Sequence, residues 1–140
     1  MNQPQARHAG GCLCGAIRYR VNAPLTALRV CHCTHCQKNT GSGASVNVVV
    51  AGADFALTKG TPKQFTTRAD SGRTLYRYFC GDCGSPLYAH RDTGTERIVV
   101  KAGTLDDTSG LKITAHIWTS SRRPWSHIDP DTEQMPGNPA

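Results

Sequence analysis

The sequence predicts an all-β domain built from short strands and held together partly by metal. Short runs along the chain either alternate apolar with polar residues or are rich in β-branched and aromatic side chains, as strands are. Turn residues separate these runs, and glycine is frequent, with 14 in 140 residues. Seven cysteines fall into three tight groups, and bound metal would supplement a core for which only 38% of the residues are hydrophobic.

The N-terminal part contains two of the cysteine groups, each next to a predicted strand. Cys12 and Cys14 are flanked by glycines, which let the backbone turn and direct amide groups at the sulfurs. Residues 16–21 then alternate as a half-buried strand does. Residues 25–30 predict a short strand that leads directly into Cys31.

The middle of the chain predicts a connector followed by a series of strands. Residues 37–43 contain two glycines, which favour a loop over the single helical turn that could also begin there. Such a loop is either a plain connector or a place where backbone amides approach a small ligand. Strands are predicted at residues 44–51 and 55–57, and in a hairpin of residues 64–68 and 73–79 around a turn at 69–72.

The second hairpin strand runs straight into Cys80-Gly81-Asp82-Cys83-Gly84, whose spacing is typical of a zinc knuckle. Gly84 is expected to take a backbone conformation that other residues resist. Further strands are predicted at residues 85–89, 97–102 and 112–118.

We expect one domain at residues 10–128, between a flexible N-terminal tail at 1–9 and a C-terminal tail at 129–140 that is rich in proline and acid. The sequence contains no apolar run long enough for a membrane span, and its first residues do not resemble a signal peptide. The expected compartment is therefore the cytoplasm. There, clustered cysteines serve as metal ligands more often than as disulfides.

The formal charge of +6 gives weak support for nucleic-acid binding. Thiolates on two zinc ions would lower that charge to about +3. The basic residues are scattered, and aromatic residues do not interleave with a basic stripe. A solvated basic surface is the better interpretation.

The cysteine spacing divides the seven thiols into a set of four and a set of three. Two pairs far apart in sequence supply enough thiolates to close one tetrahedral zinc: Cys12, Cys14, Cys80 and Cys83. The other set lies in one C-x-C-x-x-C turn and leaves a zinc position open, as catalytic sites do: Cys31, Cys33 and Cys36. Disulfides fit less well because an odd count leaves one thiol unpaired. Thiolate ligands without an evident redox partner favour zinc over iron.

In this order, the motifs resemble the family of glutathione-dependent formaldehyde-activating enzymes, which includes the centromere protein V domain. The matching stretches lie between Gly10 and Trp125 and read GGCLCGAIRY, CHCTHCQKNTGSG, YFCGDCGSPLY, KAGTLDD and HIWTSSRRPW. The resemblance implies a tent-like β fold with zinc at its seam. It also implies two zinc ions per chain, a structural one on the four-cysteine set and an active-site one on the three-cysteine set.

The family activity implied by this resemblance is that of a carbon–sulfur lyase. Glutathione, or a similar thiol, would add to formaldehyde or a related small carbonyl to give S-hydroxymethylglutathione. Cys31, Cys33 and Cys36 would hold the catalytic metal, which deprotonates a bound thiol and makes it a nucleophile. Anionic glutathione needs cationic partners, and the candidates near the family motifs are Lys38, Arg122 and Arg123.

Two other classes of function stay open. A non-catalytic zinc module that binds a protein or nucleic acid predicts a closed second site, or a patch of exposed basic and aromatic residues. A redox sensor predicts that oxidation of the three-cysteine set releases its metal. His32 and His35 could close the second site, but crowding beside the cysteines favours a supporting or solvent-facing role for both.

The remaining polar and aromatic residues receive structural assignments. Asp106 and Asp107 are interpreted as part of a turn, because exposed neighbouring carboxylates are poorly suited to acid–base catalysis. His116 is expected in the core or on the surface. Trp118 and Trp125 are expected in the core or in a pocket wall.

Overall fold

The computed structural model describes residues 7–68, 72–92 and 94–139. Over these residues the fold is all-β, as expected, with a single α-helix, α1, at Thr34–Thr40. The strands are β1 His8–Gly11, β2 Arg18–Val21, β3 Ala27–Cys31, β4 Ser45–Ala51, β5 Phe55–Lys59, β6 Lys63–Arg68, β7 Thr74–Phe79, β8 Pro86–Arg91, β9 Arg97–Lys101, β10 Lys112–Ile117 and β11 Glu133–Gln134.

The strands form a small sheet and a large sheet. The small sheet has the order β1-β2-β5, and the large sheet has the order β11-β10-β3-β4-β9-β8-β7-β6. Most neighbouring strands are antiparallel, as expected for a chain of short hairpins. The exception is β10, which pairs in parallel with both β3 and β11. The long connection from β3 to β10 permits this arrangement, because parallel neighbours cannot be joined by a tight turn.

The hydrophobic core lies between the small sheet and one face of the large sheet. Tyr19 and Val21 of β2 are almost fully buried against Val100 and its neighbours on β4 and β8. The ring of Phe55 joins the two layers, with its centroid 5.3 Å from that of Tyr19 and 4.7 Å from that of Tyr88. Burial of these side chains is the main stabilising contribution of the fold.

The opposite face of the large sheet carries an excess of positive charge. Successive side chains of a strand point to opposite sides, so the register identifies the members of this face. Cys31 is opposite Ser45 and Arg29 is opposite Asn47, which in turn is opposite Lys101. We call this surface the basic face and define it by five cations: Arg29, Arg77, Arg91, Arg97 and Lys101.

The helix α1 corrects the expectation of a loop at residues 37–43. The helix begins after Cys33, whose sulfur accepts a hydrogen bond from the amide of Cys36 at 3.3 Å. It ends at Gly41, whose φ of 71° is left-handed and whose amide donates to the carbonyl of Gln37 at 2.8 Å. The glycines of this stretch therefore end a helix instead of preventing one.

Strands also occur inside both predicted tails. β1 begins at His8, and β11 lies within residues 129–140. Met135 donates its amide to the carbonyl of His116 at 2.9 Å, so the last segment completes the edge of the large sheet. The first six residues of the predicted N-terminal tail, and the predicted turn at 69–72 except for its last glycine, lie outside the described residues.

The two adjacent aspartates have separate partners. Asp107 accepts a hydrogen bond from the amide of Ser109 at 2.9 Å, as a turn residue does. Asp106 forms an ion pair with Arg18 of β2 and so ties the turn after β9 to the small sheet. No helix of the described residues is both long and apolar enough for a membrane span.

Candidate metal centres

Four cysteine sulfurs meet where the turn after β1 contacts the turn after β7. The sulfurs of Cys12, Cys14, Cys80 and Cys83 all lie within 4.8 Å of one another. The Sγ–Sγ distance is 3.6 Å between Cys12 and Cys14 and 3.7 Å between Cys14 and Cys80. A tetrahedron of thiolates with Zn–S bonds of about 2.3 Å separates its sulfurs by about 3.8 Å. The donor set and its spacing therefore fit a zinc ion.

Polar groups around this four-cysteine cluster favour thiolates. The amide of Ile17 donates to Cys12 Sγ at 3.2 Å, and the amide of Asp82 donates to Cys80 Sγ at 3.4 Å. The hydroxyl of Ser85 lies 3.2 Å from Cys83 Sγ and, with its backbone amide, lowers the pKa of that thiol to about 5. Ligand sulfurs in zinc sites are deprotonated, so contacts that stabilise thiolates also favour metal binding by the cluster.

The turn that carries Cys80 and Cys83 has the geometry predicted from its sequence. Gly84 has a φ of 81°, in the left-handed region that favours glycine. Its amide donates to the carbonyl of Cys80 at 2.9 Å and closes the turn. Cys80 is only 1% exposed and belongs to the main core. A metal here would connect the small sheet to β7 and act as part of the core.

Three further cysteines form a second cluster where β3 meets α1. Cys31 is the last residue of β3, Cys33 caps α1, and Cys36 lies in the first turn of the helix. Their sulfurs lie within 4.8 Å of one another. Cys31 and Cys36 are buried, whereas Cys33 is partly exposed. Within the described ranges, no histidine, cysteine or carboxylate provides a fourth ligand atom at this spacing.

The three-cysteine cluster favours one negative charge even without a metal. Hydrogen bonds from the Cys31 and Cys33 thiols lower the pKa of Cys36 far below its ordinary value, and the Ser45 hydroxyl acts in the same direction. Hydrogen bonding to Cys33 and Cys36 raises the pKa of Cys31. A thiolate therefore forms first at Cys36. Three thiol donors with an open side are compatible with a zinc that retains one exchangeable position.

The histidines inside the turn do not complete this cluster. His32 is 1% exposed, and its Nε2 lies 2.8 Å from Nδ1 of His116 on β10. Burial lowers the pKa of His32, and the charges of His116 and Arg122 lower it further, so a neutral ring is favoured. His35 is partly exposed and, like His32, is absent from the group of sulfurs. His32 therefore ties the cluster to β10, as expected of a supporting residue.

Gln37 is a further residue of this site, which the sequence did not indicate. It is 6% exposed, and its Nε2 donates to the carbonyls of His32 at 2.8 Å and Ser121 at 2.9 Å. Its Oε1 accepts from Nε of Arg123 at 2.6 Å. One amide group thus connects the cysteine turn, the helix and the segment after β10. A glutamine beside a cysteine motif has no local signature that separates it from a surface residue.

The three predicted glutathione contacts occupy different environments around α1. Arg123 is exposed but engages Gln37, and Arg122 is exposed and near enough to His32 to affect its pKa. Lys38 is exposed on α1. Trp118 packs against the cysteine cluster, and its φ of 55° is the one positive value for a non-glycine residue in the described chain. A bulky residue in that conformation is held by its surroundings and fixes this wall of the site.

Replacing Gln37 with leucine is expected to weaken metal binding at the three-cysteine cluster. The change leaves the buried carbonyl of His32 and the partly buried carbonyl of Ser121 without this donor, which costs about 1–3 kcal/mol of stability. It also frees the turn that carries the sulfurs, and loss of such supporting contacts typically lowers metal affinity about 10–100-fold. Competition with a chelator measures the affinity, and thermal unfolding measures the stability.

Lys38→Ala provides the matched control for Gln37→Leu, because Lys38 is the next residue on the same helix and is exposed. We expect it to leave chelator competition unchanged. Equal metal affinity in Gln37→Leu and Lys38→Ala would show that the Gln37 network does not position the cysteines.

Comparison with known proteins adds an independent line of support. A family model described as "Glutathione-dependent formaldehyde-activating enzyme" matches residues 7–121. A curated protein of Halomonas elongata, named "Putative glutathione-dependent formaldehyde-activating enzyme", is 27% identical over 125 residues, which are 86% of this chain and 80% of that protein. A crystal structure of a Rhodobacter sphaeroides protein is similar at a TM-score of 0.56 and 19% identity, covering 76% of this chain and 99% of the other. The last likeness shows the fold alone.

Proposed function

This chain belongs to the family of glutathione-dependent formaldehyde-activating enzymes, and from that membership we propose that it is a zinc-dependent carbon–sulfur lyase that joins glutathione to formaldehyde. The product would be S-hydroxymethylglutathione. The four-cysteine cluster would hold a structural zinc, and the three-cysteine cluster would hold the catalytic one.

The contrast between the two clusters carries this proposal. The four-cysteine cluster already has the ligands of a closed structural site, whereas the three-cysteine cluster has three thiols and, among the described residues, no fourth donor. A non-catalytic module would have no need of that open side. The partly exposed member of the three-cysteine cluster, Cys33, caps α1, and exposed cationic side chains of this region are available to an anionic substrate.

Different residues of the chain would have different roles in the proposed reaction. Cys31, Cys33 and Cys36 would hold the zinc, which when bound lowers the pKa of a thiol and so supplies a thiolate at neutral pH. Lys38, Arg122 and Arg123 would attract the substrate carboxylates. Ile117 and Trp118 form an apolar wall beside the sulfurs and would limit the access of water.

The proposed reaction balances without an oxidant or a reductant. The glutathione sulfur attacks the carbonyl carbon of formaldehyde, a carbon–sulfur bond forms, and the carbon–oxygen π bond breaks. The proton that leaves the thiol ends on the former carbonyl oxygen, either directly or through solvent. No leaving group departs, so the site has only to orient two small molecules and manage one proton.

Calorimetric titration of metal-replete protein with glutathione tests the proposed function, with metal content counted beforehand. We expect saturable binding at up to millimolar concentration. Catalysis is then measured by exchange NMR with 13C-labelled formaldehyde, in which the enzyme should accelerate exchange between free and glutathione-bound label above the uncatalysed rate.

Two results would contradict the lyase assignment. The first is the absence of glutathione binding across the millimolar range in protein that carries both metal equivalents. The second is glutathione binding with label exchange no faster than in buffer, which would leave a thiol-binding protein without the proposed reaction. The matched control is protein stripped of the more weakly held metal, which should lose both signals together.

A further inference from the structure

A cavity of about 230 Å³ opens on the basic face between α1 and the strands β7, β8 and β9. It is lined by residues from the helix, from the knuckle turn and from the sheet, including Asn39, Gly84, Ala89, Arg77 and Lys101. Asn39 belongs to the helix that also carries Cys36, so the cavity adjoins the three-cysteine cluster. The volume is smaller than that of most complete ligand sites, which measure about 300–1,000 Å³. It therefore suits one end of a ligand.

Two buried cations share this cavity. Arg77 is 8% exposed and Lys101 is 9% exposed, which is rare for these residue types without a partner. Within the part of the chain that the structure describes, the only ion pair joins Arg18 to Asp106, and neither cation donates a side-chain hydrogen bond. Buried positive charges are costly unless an anion pairs with them.

The sheet register explains why the two cations converge. Arg77 is opposite Ala89, Ala89 is opposite Val99, and Lys101 lies two residues beyond Val99 on the same face. Ala89 separates the cations, and its small side chain leaves the intervening space open. A single anionic group between them could accept hydrogen bonds from a guanidinium and an ammonium at once.

Lys101 also lies near the three-cysteine cluster. Lys101 is opposite Asn47 on β4. Ser45, two residues before Asn47 and on the same face of β4, is opposite Cys31. Two strand spacings of about 4.8 Å and an offset of two residues, about 6.6 Å along the strand, separate the backbones of Lys101 and Cys31 by about 12 Å. Burial lowers the pKa of Lys101, and the thiolate of Cys36 acts in the opposite direction, as expected for groups within electrostatic reach.

We propose that Arg77 and Lys101 form a carboxylate subsite that selects thiol substrates bearing a carboxylate several bonds from the sulfur. This inference rests on the proposed function, because it places the substrate sulfur at the three-cysteine cluster and one substrate carboxylate in the adjoining cavity. The subsite favours a thiol such as glutathione over a small neutral thiol. It also adds two positioning contacts to those proposed around α1.

A competing role for Lys101 is to neutralise the cysteine cluster itself. Three thiolates around a divalent metal retain one negative charge, which a nearby ammonium would balance. That role would leave Arg77, two strands away from β9, without an anion. The two roles predict different responses to thiols that lack a carboxylate, so the test includes such a thiol.

The test measures the binding of three probes to metal-replete protein by calorimetry. Glutathione carries both a thiol and carboxylates, S-methylglutathione carries carboxylates without a free thiol, and 2-mercaptoethanol carries a thiol without a carboxylate. Arg77→Met and Lys101→Met are expected to weaken glutathione and S-methylglutathione at least tenfold and to leave 2-mercaptoethanol unchanged. Ala89→Leu fills the cavity and keeps both charges. It is expected to weaken the binding of glutathione and S-methylglutathione as well, and to leave that of 2-mercaptoethanol unchanged.

Arg91→Met is the matched control, because Arg91 lies on the same face of the sheet but is exposed and outside the cavity lining. It should leave all three probes unchanged. Arg77→Lys keeps the charge and should lose less affinity than Arg77→Met, which separates a binding role from a packing role. If a methionine variant does not fold, Ala89→Leu and Arg77→Lys still decide the matter.

The outcomes separate this inference from the proposed function. Unchanged glutathione affinity in Arg77→Met and Ala89→Leu would overturn the carboxylate subsite. Equal loss of 2-mercaptoethanol and glutathione in Lys101→Met would assign that residue to the cysteine cluster and would also overturn it. If glutathione does not bind but S-methylglutathione binds and depends on Arg77, the subsite stands and the lyase assignment fails.

Discussion

Replacing Cys80 with serine is expected to leave the chain without a stable fold. Cys80 is buried in the main core and is one of four sulfurs that fit a tetrahedral zinc. Structural zinc in small domains supplies about 10–16 kcal/mol of apparent binding free energy. The whole stability of a typical domain is about 5–15 kcal/mol. Loss of this metal therefore removes as much free energy as the fold possesses.

Soluble yield, circular dichroism and metal content measure the effect of Cys80→Ser. We expect little soluble protein and no cooperative thermal transition in what is recovered. Ser85→Ala is an informative companion, because it removes the hydroxyl beside Cys83 but retains all four sulfurs. It should keep both metals. A folded Cys80→Ser protein with a normal thermal transition would show that the four-cysteine cluster is not structural.

Replacing Cys33 with serine is expected to abolish activity and to preserve the fold. Cys33 is the cap of α1, where its sulfur accepts a hydrogen bond from the amide of Cys36. Serine is among the best residues at this position, so the helix should form as well as before. The variant nevertheless removes one of three sulfurs from a cluster that has no spare ligand among the described residues. We expect one metal equivalent to be lost.

Metal counting, thermal unfolding and glutathione calorimetry together measure the effect of Cys33→Ser. The expected result is one metal equivalent in place of two, a thermal midpoint within a few degrees of the parent, and no saturable glutathione binding. Thr34→Ala, next to the cap, should retain both metals. Equal loss of structure in Cys33→Ser and Cys80→Ser would contradict the division into a structural and a catalytic cluster.

The two cysteine clusters could be predicted because their signal is local. Ligands in a C-x-x-C or C-x-C-x-x-C run have to share one turn, whatever the rest of the chain does. The grouping of Cys12, which follows β1 of the small sheet, with Cys80, which follows β7 of the large sheet, came from ligand arithmetic and agrees with the sulfur geometry. The strands between β1 and β11 followed in the same way from short-range alternation and from glycine turns.

The residues that surround the clusters could not be predicted because their placement depends on strand register. Lys101 reaches the cavity only because β9 pairs with β8, and Gln37 becomes buried only when the segment after β10 packs along α1. Glu133 and Gln134 have little strand propensity and pair because the edge of β10 offers free backbone groups. Neither the alternation of apolar and polar residues nor the composition of a segment predicts which distant segment it pairs with.

The order in which the clusters can form has consequences for folding kinetics. Cys14 and Cys80 are 66 positions apart, and the contacts between the cysteine turn and β10 or its following segment span 84 positions. Proteins dominated by such distant pairings fold slowly, because the conformational entropy of the intervening chain is lost before the contacts form. During synthesis, Cys12 and Cys14 therefore emerge long before their partners. We expect refolding to be slow and to accelerate when metal is present from the start, since a metal held by the first pair can capture the second.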